Sequence, residues 1–70
     1  MKIIFTEHAK EKLQRRKITQ DEAINTIIYP EITNKIRGKY YAQKETSRGK
    51  IEVVYTREDK FLKVITLYWI

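Results

Sequence analysis

The stretch IEVVYTREDKFLKVITLYWI, residues 51–70, decides the fold that we expect for this chain. Residues 51–56 and 61–69 are rich in β-branched and aromatic side chains, which favour strands, and the polar residues 57–60 form a short turn. Such a short connection makes the two strands antiparallel neighbours. Regular alternation in the second strand predicts one face with Phe61, Lys63, Ile65, Leu67 and Trp69, and another with Leu62, Val64, Thr66, Tyr68 and Ile70. Because both sets contain large apolar side chains, this strand is expected to be central in the sheet or covered on both faces.

The segments that precede this hairpin extend the sheet. Turn signals at residues 37–38 and 47–49 bound an extended segment at residues 39–46, and residues 31–36 are a weaker strand candidate. Within residues 39–46 the alternation predicts Tyr40, Ala42 and Lys44 on one face, and Tyr41, Gln43 and Glu45 on the other.

A short apolar strand and a helix open the chain. Residues 2–5 suit a first strand, and Thr6 can cap a helix that continues to about Arg16. The apolar stripe of this helix is thin, because only Ala9 and Leu13 recur within it at helical spacing.

The second helix carries the clearest helical pattern. Thr19 followed three residues later by Glu22 is a capping box, and Pro30 ends the helix after about Tyr29. Its expected apolar face consists of Ala23, Ile24, Ile27 and Ile28.

These elements predict one domain, residues 1–70, of the α+β class. The order is β-α-α-β-β-β, with an antiparallel sheet and both N-terminal helices on one face of it in a two-layer arrangement. Such an arrangement leaves the second sheet face without helices, and some of the five tyrosines must lie on a partly exposed aromatic surface.

Composition narrows the function. Fifteen Lys and Arg against nine Asp and Glu give a net charge of +6, with one His and no Cys. A chain without Cys has neither a disulfide framework nor a thiolate nucleophile, and one His argues against a zinc site. No apolar run approaches the roughly 20 residues of a membrane span, so we expect a cytoplasmic protein with no membrane partner. The sequence shows no motif for a metal or cofactor.

The excess of basic over acidic residues favours a polyanionic partner, usually a nucleic acid. Charge that serves only solubility is the alternative. The many charged residues and few glycines would also suit a thermophile, although an ordinary charged domain fits them equally well. A nuclease on this chain would have to work without metal, and its substrate would then be RNA, because DNA lacks the 2′-hydroxyl that acts as an internal nucleophile.

Candidate functional residues lie on the first helix and on the strands. His8, Lys12 and Arg15 share a basic stripe on the helix, with Arg16 at its boundary. On the strands, lysines and arginines alternate with tyrosines, a mixture that suits phosphates and unpaired bases of RNA. The alternative is a histidine that caps or packs, and cations that are only solvated.

Several motifs follow one another in an order that resembles a known family. They are His8-Ala9, Lys12-Leu13, Arg16 and Ile18, then Pro30, Val53-Val54-Tyr55, and Val64-Ile65-Thr66-Leu67-Tyr68. The chain resembles the domain-of-unknown-function family numbered 4258, whose pattern runs His-Ala, Arg-Met, Arg-Gly-Ile, Pro, a Val-Tyr strand and a final Ile-Thr-Val-Tyr strand. Lys12, Leu13 and Lys17 depart from that pattern, which has Arg, Met and Gly there, and we expect Lys17 to alter the turn between the helices.

This resemblance implies a place among small toxin-like ribonucleases of the barnase, EndoU, colicin and RelE type, which cleave RNA without metal. It implies a cleft on the sheet face away from the helices, and a small antitoxin encoded nearby as partner. The matching polar residues are His8, Lys12, Arg16, Tyr55, Thr66 and Tyr68.

Our sequence-based hypothesis is a metal-independent endoribonuclease, the toxin of a toxin–antitoxin pair, that leaves a 2′,3′-cyclic phosphate. His8 would act as acid or base, Tyr68 would orient or protonate, Thr66 would position, and Arg57 with Lys44 or Lys12 would hold the phosphorane charge. The expected RNA-binding residues are Lys12, Arg15, Arg16, Lys44, Tyr40 and Tyr55.

Two other functions stay open at this point. One is an RNA-binding module without catalysis, and the other is an interaction domain for an acidic protein. A homo-oligomer or a hetero-oligomer is compatible with each of these functions.

Overall fold

Seven elements follow one another in the order β-α-α-β-β-β-β. The structure is a computed structural model and describes residues 2–70. The elements are β1 (Lys2–Phe5), α1 (Glu7–Arg16), α2 (Gln20–Ile28), β2 (Ile32–Ile36), β3 (Lys39–Thr46), β4 (Gly49–Arg57) and β5 (Phe61–Trp69). The predicted two-layer α+β class is confirmed, and the weaker strand candidate is present as β2. No helix among these residues is long and apolar enough to cross a membrane.

The five strands form one sheet in the order β1-β5-β4-β3-β2. Strands β2 to β5 are antiparallel neighbours, as expected, but β1 pairs in parallel with β5, from Lys2 opposite Phe61 to Phe5 opposite Val64. The sheet is therefore mixed. Both helices and three strands lie between β1 and β5 in the chain. Such a long connection permits the parallel pairing that a short turn forbids.

Both helices begin with the predicted caps. The Thr6 hydroxyl accepts the N–H of Ala9 at 3.0 Å at the start of α1. At the start of α2, the Thr19 hydroxyl accepts the N–H of Glu22, and the Glu22 carboxylate accepts the N–H of Thr19, both at 3.0 Å. These bonds satisfy N–H groups that have no partner inside a helix, which fixes where each helix begins.

The alternation of β5 is interrupted by a bulge. Tyr55 of β4 pairs with Val64, but the preceding residue, Val54, pairs with Thr66, so Ile65 is an extra residue in β5. An extra residue reverses the faces of everything beyond it. The side chains on the helix face are therefore Leu62, Val64, Leu67 and Trp69, and those on the other face are Phe61, Lys63, Thr66 and Tyr68. The regular alternation predicted for this strand is wrong for its second half.

The apolar face of α2 also differs from the expectation. Ala23 and Ile27 are buried, but Ile28 is 53% exposed and Thr26 is fully buried instead. The Thr26 hydroxyl donates to the Glu22 carbonyl at 2.8 Å, and this bond makes its burial acceptable.

The turn between β3 and β4 is fastened to both helices through Arg48. Its guanidinium donates to the Glu22 carboxylate at 2.7 Å and to the Lys17 carbonyl, and it lies 5.2 Å from the centre of the Trp69 ring. The bonds from Arg48, and then the Thr19 N–H, hold the pKa of Glu22 below its usual value. The Trp69 indole in turn donates to the Arg16 carbonyl at 2.7 Å.

Lys17 ends α1 in the left-handed conformation, with φ of 55°. The N–H of Ile18 donates to the Leu13 carbonyl at 2.9 Å, which closes the helix C-terminus. A side chain at a left-handed position is strained, because its Cβ crowds the backbone. Lys17 therefore adopts the left-handed conformation that glycine favours, with the strain of a side chain there. The expectation that Lys17 alters this turn is wrong.

We expect Lys17→Gly to raise the free energy of unfolding by about 1 kcal/mol, because glycine adopts φ above zero without that strain. Gln14→Gly, inside the same helix, is the matched control and should lower it by about 1 kcal/mol. Urea denaturation of the three proteins measures both changes. A Lys17→Gly protein that unfolds at lower urea than the parent would contradict the account.

Candidate functional site

We call the sheet face away from the helices the open face. A row of three polar side chains crosses its middle. Gln43 of β3 lies opposite Glu52 of β4, and Glu52 lies opposite Tyr68 of β5. All three are partly buried. Because the side chains of paired residues point to the same face, the row brings a carboxylate, an amide and a phenol together.

Hydrogen bonds hold the Glu52 carboxylate at the centre of this row. The Tyr68 hydroxyl donates to Oε1 at 2.5 Å, and the Gln43 amide donates to Oε2 at 2.8 Å. A carboxylate has about four lone-pair positions, and these bonds use one on each oxygen. Glu52 is therefore fixed in place while it keeps the capacity to accept further hydrogen bonds.

Tyr68 is a proton donor in this arrangement. Burial, and then the bond to Glu52 and its charge, raise the pKa of Tyr68 to about 12. Both causes disfavour the phenolate, since it would be desolvated and would face a carboxylate. Tyr68 consequently keeps its proton at neutral pH.

Arg16 brings a positive charge from the helix layer to the same site. β1 pairs with β5 only as far as Val64, so no strand of residues 2–70 covers the edge of β5 beyond that point. Arg16 donates to the Leu67 carbonyl on this edge at 2.8 Å, and its Cζ lies 5.9 Å from the centre of the Tyr68 ring. The Arg16 guanidinium thus reaches the Tyr68 ring from the edge of β5.

Further groups surround the row on the open face. Thr66 pairs with Val54 next to it, and the partly buried lysines Lys50 and Lys63 lie towards either end of the face. Tyr68, Thr66 and Arg16 are therefore the sequence-predicted site residues that the structure brings together.

The rest of the basic stripe on α1 lies outside this group. His8 is exposed in the first turn of α1, eight residues and about 12 Å along the helix axis from Arg16. Lys12 lies between them on the same edge of the helix and is partly buried. Arg15 is exposed, and its guanidinium lies 3.7 Å from the Glu11 carboxylate rather than against Tyr68.

Four predicted site residues lie on the helix face of the sheet instead, and this corrects their assignment to one cleft with Tyr68. Lys44 donates to the Tyr29 carbonyl at the end of α2 at 2.8 Å, and Arg57 lies 6.0 Å from the centre of the Tyr40 ring. Tyr55 stacks on Tyr40 with ring centres 5.2 Å apart. Tyr55 is only 7% exposed, so its ring belongs to the core and is not a surface for stacking bases.

The profile of a domain of unknown function, DUF4258, matches residues 5–69. The chain belongs to the DUF4258 family. No curated protein and no solved structure matches it. The resemblance inferred from the motifs is thereby confirmed for the family.

Glu52 and Gln43 of this DUF4258 chain are the site residues that sequence reasoning missed. A regular hairpin that continues the pairing of Arg57 with Leu62 would place Glu52 opposite Leu67. Only the bulge at Ile65 moves Tyr68 opposite Glu52. One sequence signal could have revealed the Glu52–Tyr68 pair. If Val64 faces the core, regular alternation would place the polar Thr66 in the core and the apolar Leu67 outside it, so an extra residue between Val64 and Thr66 is favoured.

The DUF4258 site offers acid–base groups and cations to a ligand. Among residues 2–70 no three His, Cys, Asp or Glu side chains group so that they could hold a metal ion. Glu52 can accept a proton, Tyr68 can donate one, and Arg16 with the lysines can bind an anion.

We expect Glu52→Gln to lower the pKa of Tyr68 from about 12 towards its ordinary value, because the substitution removes the facing charge. NMR titration of ring-labelled tyrosine measures this pKa. Glu45→Gln, an acid that does not bond to Tyr68, is the control. Since the folded-state pKa is raised, the phenol of the parent protein stabilises the fold below pH about 10, and this contribution is lost as the pH rises through about 12. An unchanged Tyr68 pKa in Glu52→Gln would contradict the assignment.

Proposed function

We propose that this DUF4258 protein is a metal-independent endoribonuclease that acts on the open face. The observation that carries the proposal is the Glu52 carboxylate, held by Tyr68 and Gln43, with the Arg16 guanidinium beside Tyr68. A carboxylate base, a protonated donor and a fixed cation are the groups that cleavage of a phosphodiester by its own 2′-hydroxyl needs.

In the proposed reaction Glu52 accepts the proton of a ribose 2′-hydroxyl, through a lone pair that its two hydrogen bonds leave available. The 2′-oxygen attacks the adjacent phosphorus, the bond from phosphorus to the 5′-oxygen breaks, and the 5′-oxygen takes a proton from Tyr68. The products are a 2′,3′-cyclic phosphate and a 5′-hydroxyl. Arg16 stabilises the negative charge of the phosphorane, and Thr66 positions the substrate by a hydrogen bond.

His8 takes a different role here from the one that the sequence suggested. His8 is exposed on α1 and does not belong to the row formed by Gln43, Glu52 and Tyr68. We assign His8 and Lys12 to binding of the RNA backbone where it passes over the free edge of β5 towards Arg16. The net charge of +6 favours such a polyanion.

A toxin of a toxin–antitoxin pair is the biological role that this activity suits, with the RNA substrate in the cytoplasm. Its antitoxin would be a small acidic protein encoded nearby that covers the open face. The family resemblance is the support for this part of the proposal.

An RNA-binding module without catalysis is the second candidate. The rings of Tyr41, Tyr68 and Phe61 are partly exposed on the open face beside Arg16 and Lys63, so unpaired bases could stack there. In that case RNA would shift in a gel and stay intact.

We expect Glu52→Gln and Tyr68→Phe to reduce cleavage of a loop-containing RNA about 100-fold or more, because each removes a proton-transfer group. His8→Ala should weaken RNA binding and reduce cleavage less than either. The assay follows formation of the 2′,3′-cyclic phosphate with EDTA present throughout.

Glu11→Gln, an exposed acid on α1, is the matched control and should cleave like the parent. Circular dichroism establishes that each variant is folded. Full activity in Glu52→Gln, or loss of all activity in EDTA, would refute the mechanism.

A further inference from the structure

We propose that two copies of this chain associate through the outer edge of β2 and continue one sheet across both molecules. Within residues 2–70, β2 is the last strand of the sheet and no strand pairs with its outer edge. All five of its residues are exposed, among them Ile32 at 49% and Ile36 at 53%. An exposed strand edge with apolar side chains is a template for pairing with another chain. This proposal is independent of the proposed ribonuclease activity.

The backbone of β2 presents its unpaired groups at two residues. Ile36 and Lys39 flank the two-residue turn formed by Arg37 and Gly38, both of which have positive φ. Residues that flank such a turn exchange hydrogen bonds, and the pattern then alternates along the strands. Ile36, Asn34 and Ile32 therefore bond to β3, while the N–H and C=O groups of Thr33 and Lys35 point outward.

The sequence of β2 is complementary to itself in the antiparallel register that these outward groups allow. With Asn34 on the two-fold axis opposite Asn34 of the second copy, Thr33 lies opposite Lys35 of that copy, and the reverse holds on the other side of the axis. These pairs form four hydrogen bonds between the copies. Ile32 then lies opposite Ile36 of the second copy, twice, on the open face of the joined sheet.

Charge supports the same register. One residue beyond each isoleucine pair, Glu31 lies opposite Arg37 of the second copy, so opposite charges meet at both ends of the interface. Glu31 uses Oε2 to accept the N–H of Glu45 at 3.2 Å, which leaves Oε1 for a second donor.

The charge of Lys35 is held away from the strand edge. Its Nζ lies 5.3 Å from the centre of the Tyr40 ring, over the helix face of the sheet. A register centred on Lys35 would instead place two lysines opposite each other, which is destabilising.

The exposed end of α2 can extend the interface. Tyr29 is 66% exposed and lies three residues before β2, at the end of the strand where the turn of the second copy would come. An interface of two short strands alone would be small, so the Tyr29 ring adds apolar area that a specific dimer needs.

The test compares substitutions at the two-fold axis by analytical ultracentrifugation in about 0.15 M salt, from about 1 µM to several hundred µM, the range of a small interface. The parent chain is expected to dimerise. Asn34→Asp places two carboxylates opposite each other and Asn34→Lys places two ammonium groups there, so each is expected to raise the dissociation constant about fivefold or more. An equimolar mixture of the two variants pairs opposite charges and is expected to restore the dimer, with native mass spectrometry identifying it as the mixed species.

Gln14→Asp and Gln14→Lys, on the exposed side of α1, are the matched pair and should dimerise like the parent, alone and mixed. Thr33→Pro removes an outward N–H without removing a bond to β3, so it should stay folded by circular dichroism and become monomeric. A parent chain that stays monomeric over the whole range overturns the proposal. So do Asn34 variants that dimerise like the parent, or a mixture that behaves as the average of its two components.

Discussion

The extra residue at Ile65 determines both the core and the open face. Two helices cover one face of a five-stranded sheet, and that face must be apolar along the whole of β5. Val64 and Leu67 both face the helices and are fully buried, although they are three residues apart. A strand of period two cannot place both on one face without an inserted residue. The bulge therefore follows from the burial of Leu67, and the position of Tyr68 follows from the bulge.

The shortness of β1 has a second consequence at the same place. β1 ends at Phe5, and α1 continues the chain on the helix side, anchored by the Thr6 N–H on the Val64 carbonyl. The edge of β5 beyond Val64 is then available to a side chain, and the Arg16 guanidinium donates to the Leu67 carbonyl there. Trp69 fixes the same turn of α1 from the core side, through its bond to the Arg16 carbonyl. One residue of α1 is thus held by its backbone and its side chain, which places a guanidinium beside Tyr68 with little freedom.

The sequence predicted what depends on local chemistry. The caps at Thr6 and Thr19, the stop at Pro30 and the turn at residues 37–38 are determined by neighbours in the chain, and each lies where it was expected. The turn predicted at residues 47–49 is one residue shorter, because Gly49 already belongs to β4. The two faces of β3 were also predicted correctly, because β3 is regular.

The site could be predicted only in part, because it depends on pairing between distant residues. Tyr68, Thr66 and Arg16 were identified, but the parallel pairing of β1 has no local signal. The bulge in β5, which sets the partner of Tyr68, is indicated only by the polar Thr66 before the apolar Leu67. The hydrophobic pattern of residues 61–69 is compatible with two registers, and only packing against the helices selects one. A shift of one residue decides whether Glu52 faces a leucine or a tyrosine, so the central acid of the site was missed.

One face of the sheet packs the core and the other carries the polar site, which explains how a chain of 70 residues can contain both. A domain of this size has little apolar surface to bury, so large side chains on the helix face cannot be given up to function. Tyr55 and Tyr40 illustrate this limit, because Tyr55 belongs to the core and Tyr40 stacks on it, although Arg57 and Lys39 lie within two residues of them in the sequence. Polar chemistry is left with the open face and with the strand edges, where backbone groups and short-range charges can act without cost to the core. The Glu52 site uses the first of these surfaces, and the outer edge of β2, on the opposite side of the sheet from Arg16, belongs to the second.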